Sequence, residues 1–131
     1  MKYFAYASDL NKQQMLDKCP DARPLSTAVL PNYRLIFSGW SRIWHGAEAT
    51  IKPEQGQRVR GAIYEISDVC ARHLDNHKGG THKRLNVLVF DENDEPVQAY
   101  TYAKTGHLES GKPSAEYLAQ IQQGLRDWRL F

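Results

Sequence analysis

Cysteine is scarce: Cys19 and Cys70 are the only two in 131 residues, and they stand far apart with no CxxC spacing. That excludes a disulfide-dense small scaffold and a zinc ribbon. The expectation is therefore two reduced, buried thiols and no bound metal. Long apolar runs are lacking as well, so no segment is expected to cross a membrane. The opening Met1-Lys2-Tyr3-Phe4-Ala5-Tyr6 has no apolar core followed by a small-residue cleavage site, which places the chain, as an expectation, in the cytoplasm. An excess of one charge is missing too, the formal net charge being +2. Nucleic acid is not an expected partner, because phosphate binding needs a clustered basic surface. The densest basic group, Lys78, His82, Lys83 and Arg84 around Gly79 and Gly80, reads as a solvated loop, with a small-molecule anion site as the alternative.

What is present is a globular composition, 41% hydrophobic and 24% charged, sized for one domain over residues 1–131 with a single core. Residues 2–7 alternate aromatic and small side chains as a strand does, and Ser8 and Asp9 after them are good helix N-caps. The helix so begun stops before Pro20. Ala28 to Phe37 and Ala47 to Lys52 read as strands, as does Arg58 to Ile66, where Gly61 marks a bulge or a close backbone approach. A second helix starts at Ser67 or Asp68 and ends at Gly79. Arg84 to Phe90 and Val97 to Ala103 form a hairpin across the turn Asp91 to Pro96. A last helix, capped by Ser114, aligns Leu118, Ile121, Leu125 and Trp128. Six short strands and three helices without a linker predict an α+β fold, a curled and mostly closed mixed β-barrel of about six strands with helices around it.

Four segments carry a resemblance. Tyr3-Phe4-Ala5-Tyr6-Ala7-Ser8-Asp9-Leu10 is similar to an aromatic strand ending in Tyr-Gly-Ser-Asn-Leu. Trp44-His45-Gly46-Ala47-Glu48-Ala49-Thr50-Ile51 matches a Trp-His-Gly followed by a small-residue strand. Val59-Arg60-Gly61-Ala62-Ile63-Tyr64 matches Val-x-Gly-hydrophobic, and Pro113-Ser114-Ala115-Glu116-Tyr117 matches Pro-Ser-x-x-Tyr at the head of a helix. In this order and spacing they resemble the gamma-glutamylcyclotransferase-like family, over about residues 2 to 125.

The resemblance implies an intramolecular acyl transfer without cofactor or metal. The α-amine of a γ-glutamyl group attacks its own side-chain carbonyl and releases 5-oxoproline. A base must take the ammonium proton, and donors must meet the tetrahedral oxyanion. By the same resemblance, Tyr6, Ala7, Ser8, Asp9, Leu10 and Tyr117 are substrate-binding candidates. The family's base is a glutamate in Leu-Asp-x-x-Glu-Gly, and here that segment reads Leu74-Asp75-Asn76-His77-Lys78-Gly79. Lys78 thus occupies the catalytic position with its charge inverted, and it would act as a base only if burial pulled its pKa far down. Asp9 replaces the family's asparagine, a change opposite in sign, as expected if the two pair across the cavity.

Each candidate also has a purely structural role open to it. Ser8 and Asp9 can be caps, Lys78 a helix C-terminal cation, Tyr117 a core residue, and Trp44 and His45 a packing pair in the barrel wall. His73, His77 and His82 lack an acidic or cysteine co-ligand, which argues against zinc. The leading expectation is a family pocket for a small amine or carboxylate metabolite, with ordinary cyclotransferase turnover low. The first alternative is an active enzyme whose base has moved to Asp9 or, in reserve, Glu65; the second is a non-catalytic scaffold or partner-binding domain. A closed cavity of about 300 Å³ or more beside Tyr6, Ser8 and Lys78 separates the first two from the third.

Overall fold

The computed structural model describes residues 1–130; Phe131 lies outside the described residues. The elements run β1 (Lys2–Ala5), a 3-10 turn (Ser8–Leu10), α1 (Lys12–Lys18), β2 (Arg23–Ser41), β3 (Gly46–Glu65), α2 (Asp68–Lys78), β4 (His82–Asp91), β5 (Pro96–Lys104) and α3 (Ala115–Asp127). The strands close into a barrel in the order β1-β3-β2-β4-β5. Every pairing is antiparallel except the short parallel contact of β1 with β5 at Tyr3 and Tyr100. Among the described residues, no helix is long and apolar enough to cross a membrane.

Five strands stand where about six were expected. Ala47 to Lys52 and Arg58 to Glu65 are two arms of the one strand β3, because β2 pairs with both. The register jumps from Pro31↔Arg58 to Tyr33↔Pro53, so the residues between the arms bulge out. Gly56 sits in that bulge at φ +87°, and its amide donates to the Asn32 side chain. Gly61 is a close approach and not a bulge: its pairing with Ala28 is in register, and a Cβ there would collide with the Ala5 carbonyl and the Phe4 ring of β1.

Alternation along β1 sorts the core into two clusters on the two sides of the sheet. Phe4 and Tyr6 join Leu30, Ile51, Ile63, Val89 and Ile121. Tyr3 and Ala5 join Met15, Tyr64, Leu74 and Tyr102, where α1 and α2 cover the sheet. Three caps fix the helices. The Ser67 and Ser114 side chains accept from the amides of Cys70 and Tyr117, and Gly79 ends α2 at φ +61°. The start of α1 differs from expectation: Asn11 is the cap, accepting from the Gln14 amide. Ser8 and Asp9 are taken up in the preceding 3-10 turn, both buried, which frees the Asp9 carboxylate for side-chain partners.

The expectation of free thiols is overturned. Cys19, just after α1, and Cys70, in the first turn of α2, form a disulfide spanning 51 residues, with Cα atoms 5.3 Å apart. Neither CxxC spacing nor even distribution announces such a pair, because it is made by two helices packing side by side.

Candidate functional site

The end of β1, the 3-10 turn, the last residues of α1 and α2, and the start of β3 converge on one cleft. Its walls include Tyr3, Tyr6, Ala7, Ser8, Asp9 and Lys18 together with Trp44, Glu48, Ala49, Lys78, His82 and Tyr117. Asp9 is 2% exposed. Lys18 Nζ lies 2.6 Å from its Oδ1, the Tyr3 hydroxyl donates to Oδ2 at 2.6 Å, and Lys78 Nζ lies 3.4 Å from Oδ2. Burial works against an ionised carboxyl here, yet the ammonium groups of Lys78 and Lys18 outweigh it and hold the Asp9 pKa far below the usual carboxylate range. Tyr3 shifts the other way, its phenol pushed up by burial and by Asp9, so it stays a donor. Both lysines are the last residues of their helices, where the helix dipole also favours a cation.

Around this cluster the remaining polar groups are tied down. The Tyr6 hydroxyl donates to the Tyr102 carbonyl at 2.6 Å, and the Tyr117 hydroxyl accepts from the Ala49 amide at 2.9 Å while its ring packs on Trp44 at 4.9 Å. Burial raises both phenols. His82 Nε2 donates to the Ala49 carbonyl at 3.2 Å, which fixes the neutral tautomer, and burial with Lys78 nearby lowers its pKa to about 4.

That value carries a pH prediction. Between about 4 and the ordinary histidine value of about 6.5, the unfolded chain binds the His82 proton and the folded chain does not. Stability is therefore full above about pH 6.5 and falls as the pH drops toward 4, by up to about 1.4 kcal/mol per pH unit. His77, lowered mainly by burial, adds to the same slope. Urea unfolding at pH 7 and pH 4.5 is expected to show the loss, and His82→Gln to flatten it.

Several expected site residues lie elsewhere. Glu65 pairs with the Met1 amine at 2.8 Å and with Lys2 at 3.7 Å; it lies outside the cleft, because the antiparallel register sets it opposite Lys2 at the start of β1 while the cleft opens beyond the end of β1. Leu10 is fully buried in the core against α3; its amide donates to the Ala7 carbonyl and its carbonyl accepts from Trp128 Nε1. His45 is not a wall residue paired with Trp44: it sits exposed in the turn between β2 and β3 at φ +56°. Free volume also departs from expectation. The cavity is about 30 Å³, roughly one water's worth, against the 300 Å³ of an ordinary small-molecule site. The space reaches about 520 Å³ only when the solvent-open mouth is included. The Asp9 cluster occupies the interior.

Sequence reasoning missed Tyr3, Lys18 and Glu48 as cleft residues, and named His82 only within the basic group read as a solvated loop or an anion site. Lys18 reaches Asp9 from nine positions away across a chain reversal, which no periodicity reveals. Glu48 falls inside the Trp44 to Ile51 segment as one residue of a small-residue strand, with nothing in its spacing that turns it toward the cleft.

The family model described as Gamma-glutamyl cyclotransferase, AIG2-like, matches residues 3–129. The human gamma-glutamylcyclotransferase is 28% identical over 132 residues, covering 95% of this chain and 70% of that protein; the bovine protein of the same name is 29% identical with the same coverage. A solved structure titled gamma-glutamyl cyclotransferase superposes with a TM-score of 0.94 at 28% identity, over 99% of this chain and 80% of that one. The chain belongs to the gamma-glutamyl cyclotransferase, AIG2-like family.

Proposed function

We propose that this family member, as one domain over residues 1–131, binds a small γ-glutamyl or related amine and carboxylate metabolite in the cleft beside Asp9, and turns it over far more slowly than a relative with an acidic base. The observation that carries this is the Asp9 cluster. Lys78, at the position of the family's glutamate, meets Asp9 as an ammonium and so has no lone pair to take a proton from substrate. Asp9 cannot replace it, since both its oxygens are engaged by three donors. Glu65, the reserve candidate, is held by the N-terminal amine outside the cleft. A ligand enters by displacing the Lys78 side chain, which is long, flexible and 19% exposed, from the solvent-open mouth.

The 30 Å³ of free volume favours a second reading, a non-catalytic scaffold or partner-binding domain with a vestigial pocket. Native mass spectrometry of the protein with γ-glutamyl-L-alanine, followed by assay for 5-oxoproline, separates the two. The expected result is a 1:1 complex with little 5-oxoproline; no complex with this or related γ-glutamyl compounds leaves the scaffold reading, and rapid 5-oxoproline release overturns the loss of the base.

A further inference from the structure

Two acidic side chains face the cleft, Asp9 and Glu48, and their situations are opposite. Asp9 is saturated by Tyr3, Lys18 and Lys78. Glu48 lies near the start of β3, half-buried, and among the described residues its carboxylate makes no ion pair and no hydrogen bond. Ala47 and Ala49 beside it are small and buried, and its carboxylate oxygens keep contact with solvent, so the charge stands open to a ligand entering the cleft. Glu48 is more than 4 Å from both cleft lysines, since neither makes an ion pair with it, and the two phenols of Tyr6 and Tyr117 feel both carboxylates. The cleft is therefore polarised. Two lysines face one aspartate, leaving one positive charge in excess, and more than 4 Å from either ammonium stands an unpaired negative charge.

We infer that Glu48 is the recognition site for a ligand ammonium, and that the cleft selects small zwitterions whose carboxylate is drawn to Lys18 and Lys78 while the ammonium is held by Glu48. The inference rests on the metabolite-binding reading above and specifies its ligand class. It places the ammonium on β3, away from the end of α2 where Lys78 would repel it. A charge-assisted contact of this kind contributes about tenfold to a hundredfold in affinity.

The test is a cycle between one residue and one ligand group, read by isothermal titration calorimetry. The ligands are γ-glutamyl-L-alanine and glutaryl-L-alanine, which differ only in the ammonium; the proteins are wild type and Glu48→Gln. Wild type is expected to prefer γ-glutamyl-L-alanine by about tenfold or more, and Glu48→Gln to bind both within about twofold of each other while keeping the wild-type affinity for glutaryl-L-alanine. That retained affinity also reports a correctly folded cleft. A preference that persists in Glu48→Gln, a variant that weakens both ligands alike, or a wild type indifferent to the ammonium overturns the Glu48 inference and leaves the cleft reading standing. A wild type that binds neither ligand overturns both.

Discussion

Converting Lys78 to glutamate and Asp9 to asparagine together is expected to raise 5-oxoproline release from γ-glutamyl-L-alanine by about a hundredfold to ten-thousandfold, the usual worth of a positioned general base. The reaction asks for one proton to leave the α-ammonium before nitrogen can attack the side-chain carbonyl, and for a proton to be returned to the departing amine. In the native cleft the side chain at position 78 is an ammonium 3.4 Å from Asp9, which neither accepts the proton nor tolerates a substrate ammonium beside it. Both changes are needed because the cluster is coupled. Lys78→Glu alone sets two carboxylates against the single Lys18, and one of them stays protonated. Asp9→Asn alone leaves two lysines without their shared counter-ion, a loss of about 3–5 kcal/mol for a buried pair that is broken. In the double variant the new glutamate inherits Lys18 as a partner. Wild-type turnover that is already rapid and survives Lys78→Ala, but collapses in a folded Asp9→Asn protein, would instead make Asp9 the working base.

Replacing Cys19 and Cys70 with serine is expected to lower stability by about 4 kcal/mol, the loop-closure contribution of a bridge spanning 51 residues. For a chain of this size that corresponds to a fall in Tm of roughly 10–20 °C. Reducing the native protein with excess dithiothreitol under mildly destabilising conditions should produce the same shift, and differential scanning calorimetry reads both. An unchanged Tm in the double serine variant would mean that helix packing alone carries this contact. The consequence reaches the cleft, because Cys19 directly follows Lys18 and the bridge fastens the end of α1 to α2, the two helices that deliver Lys18 and Lys78 to Asp9.

Much of the fold is written locally. Ser67 and Gly79 bracket α2 and Ser114 opens α3, because a cap is a contact of a side chain with amides two or three residues on. The β4–β5 hairpin follows from two apolar runs across an Asp and Asn turn. Less legible was the first helix: Ser8 and Asp9 have the right chemistry for a cap, but Asn11 three residues later has it too, and the burial of Asp9 among Tyr3, Lys18 and Lys78 decided which was used. The β2–β3 ribbon reads as separate strands in the sequence because its two arms, Ala47 to Lys52 and Arg58 to Glu65, are parted by a bulge, and only the shared pairing with β2 joins them.

The sequence by itself determined the family and the barrel with its three helices, because each of these is carried by residue identity at fixed spacing. Only the tertiary structure decided that Asp9 is buried under three donors, that Glu65 is spent on the N-terminal amine while Glu48 faces the cleft unpaired, and that Cys19 meets Cys70. Those are contacts between elements distant in the chain. They are set by how helices seat on a twisted sheet, and no local pattern of side chains records the distance across that seam.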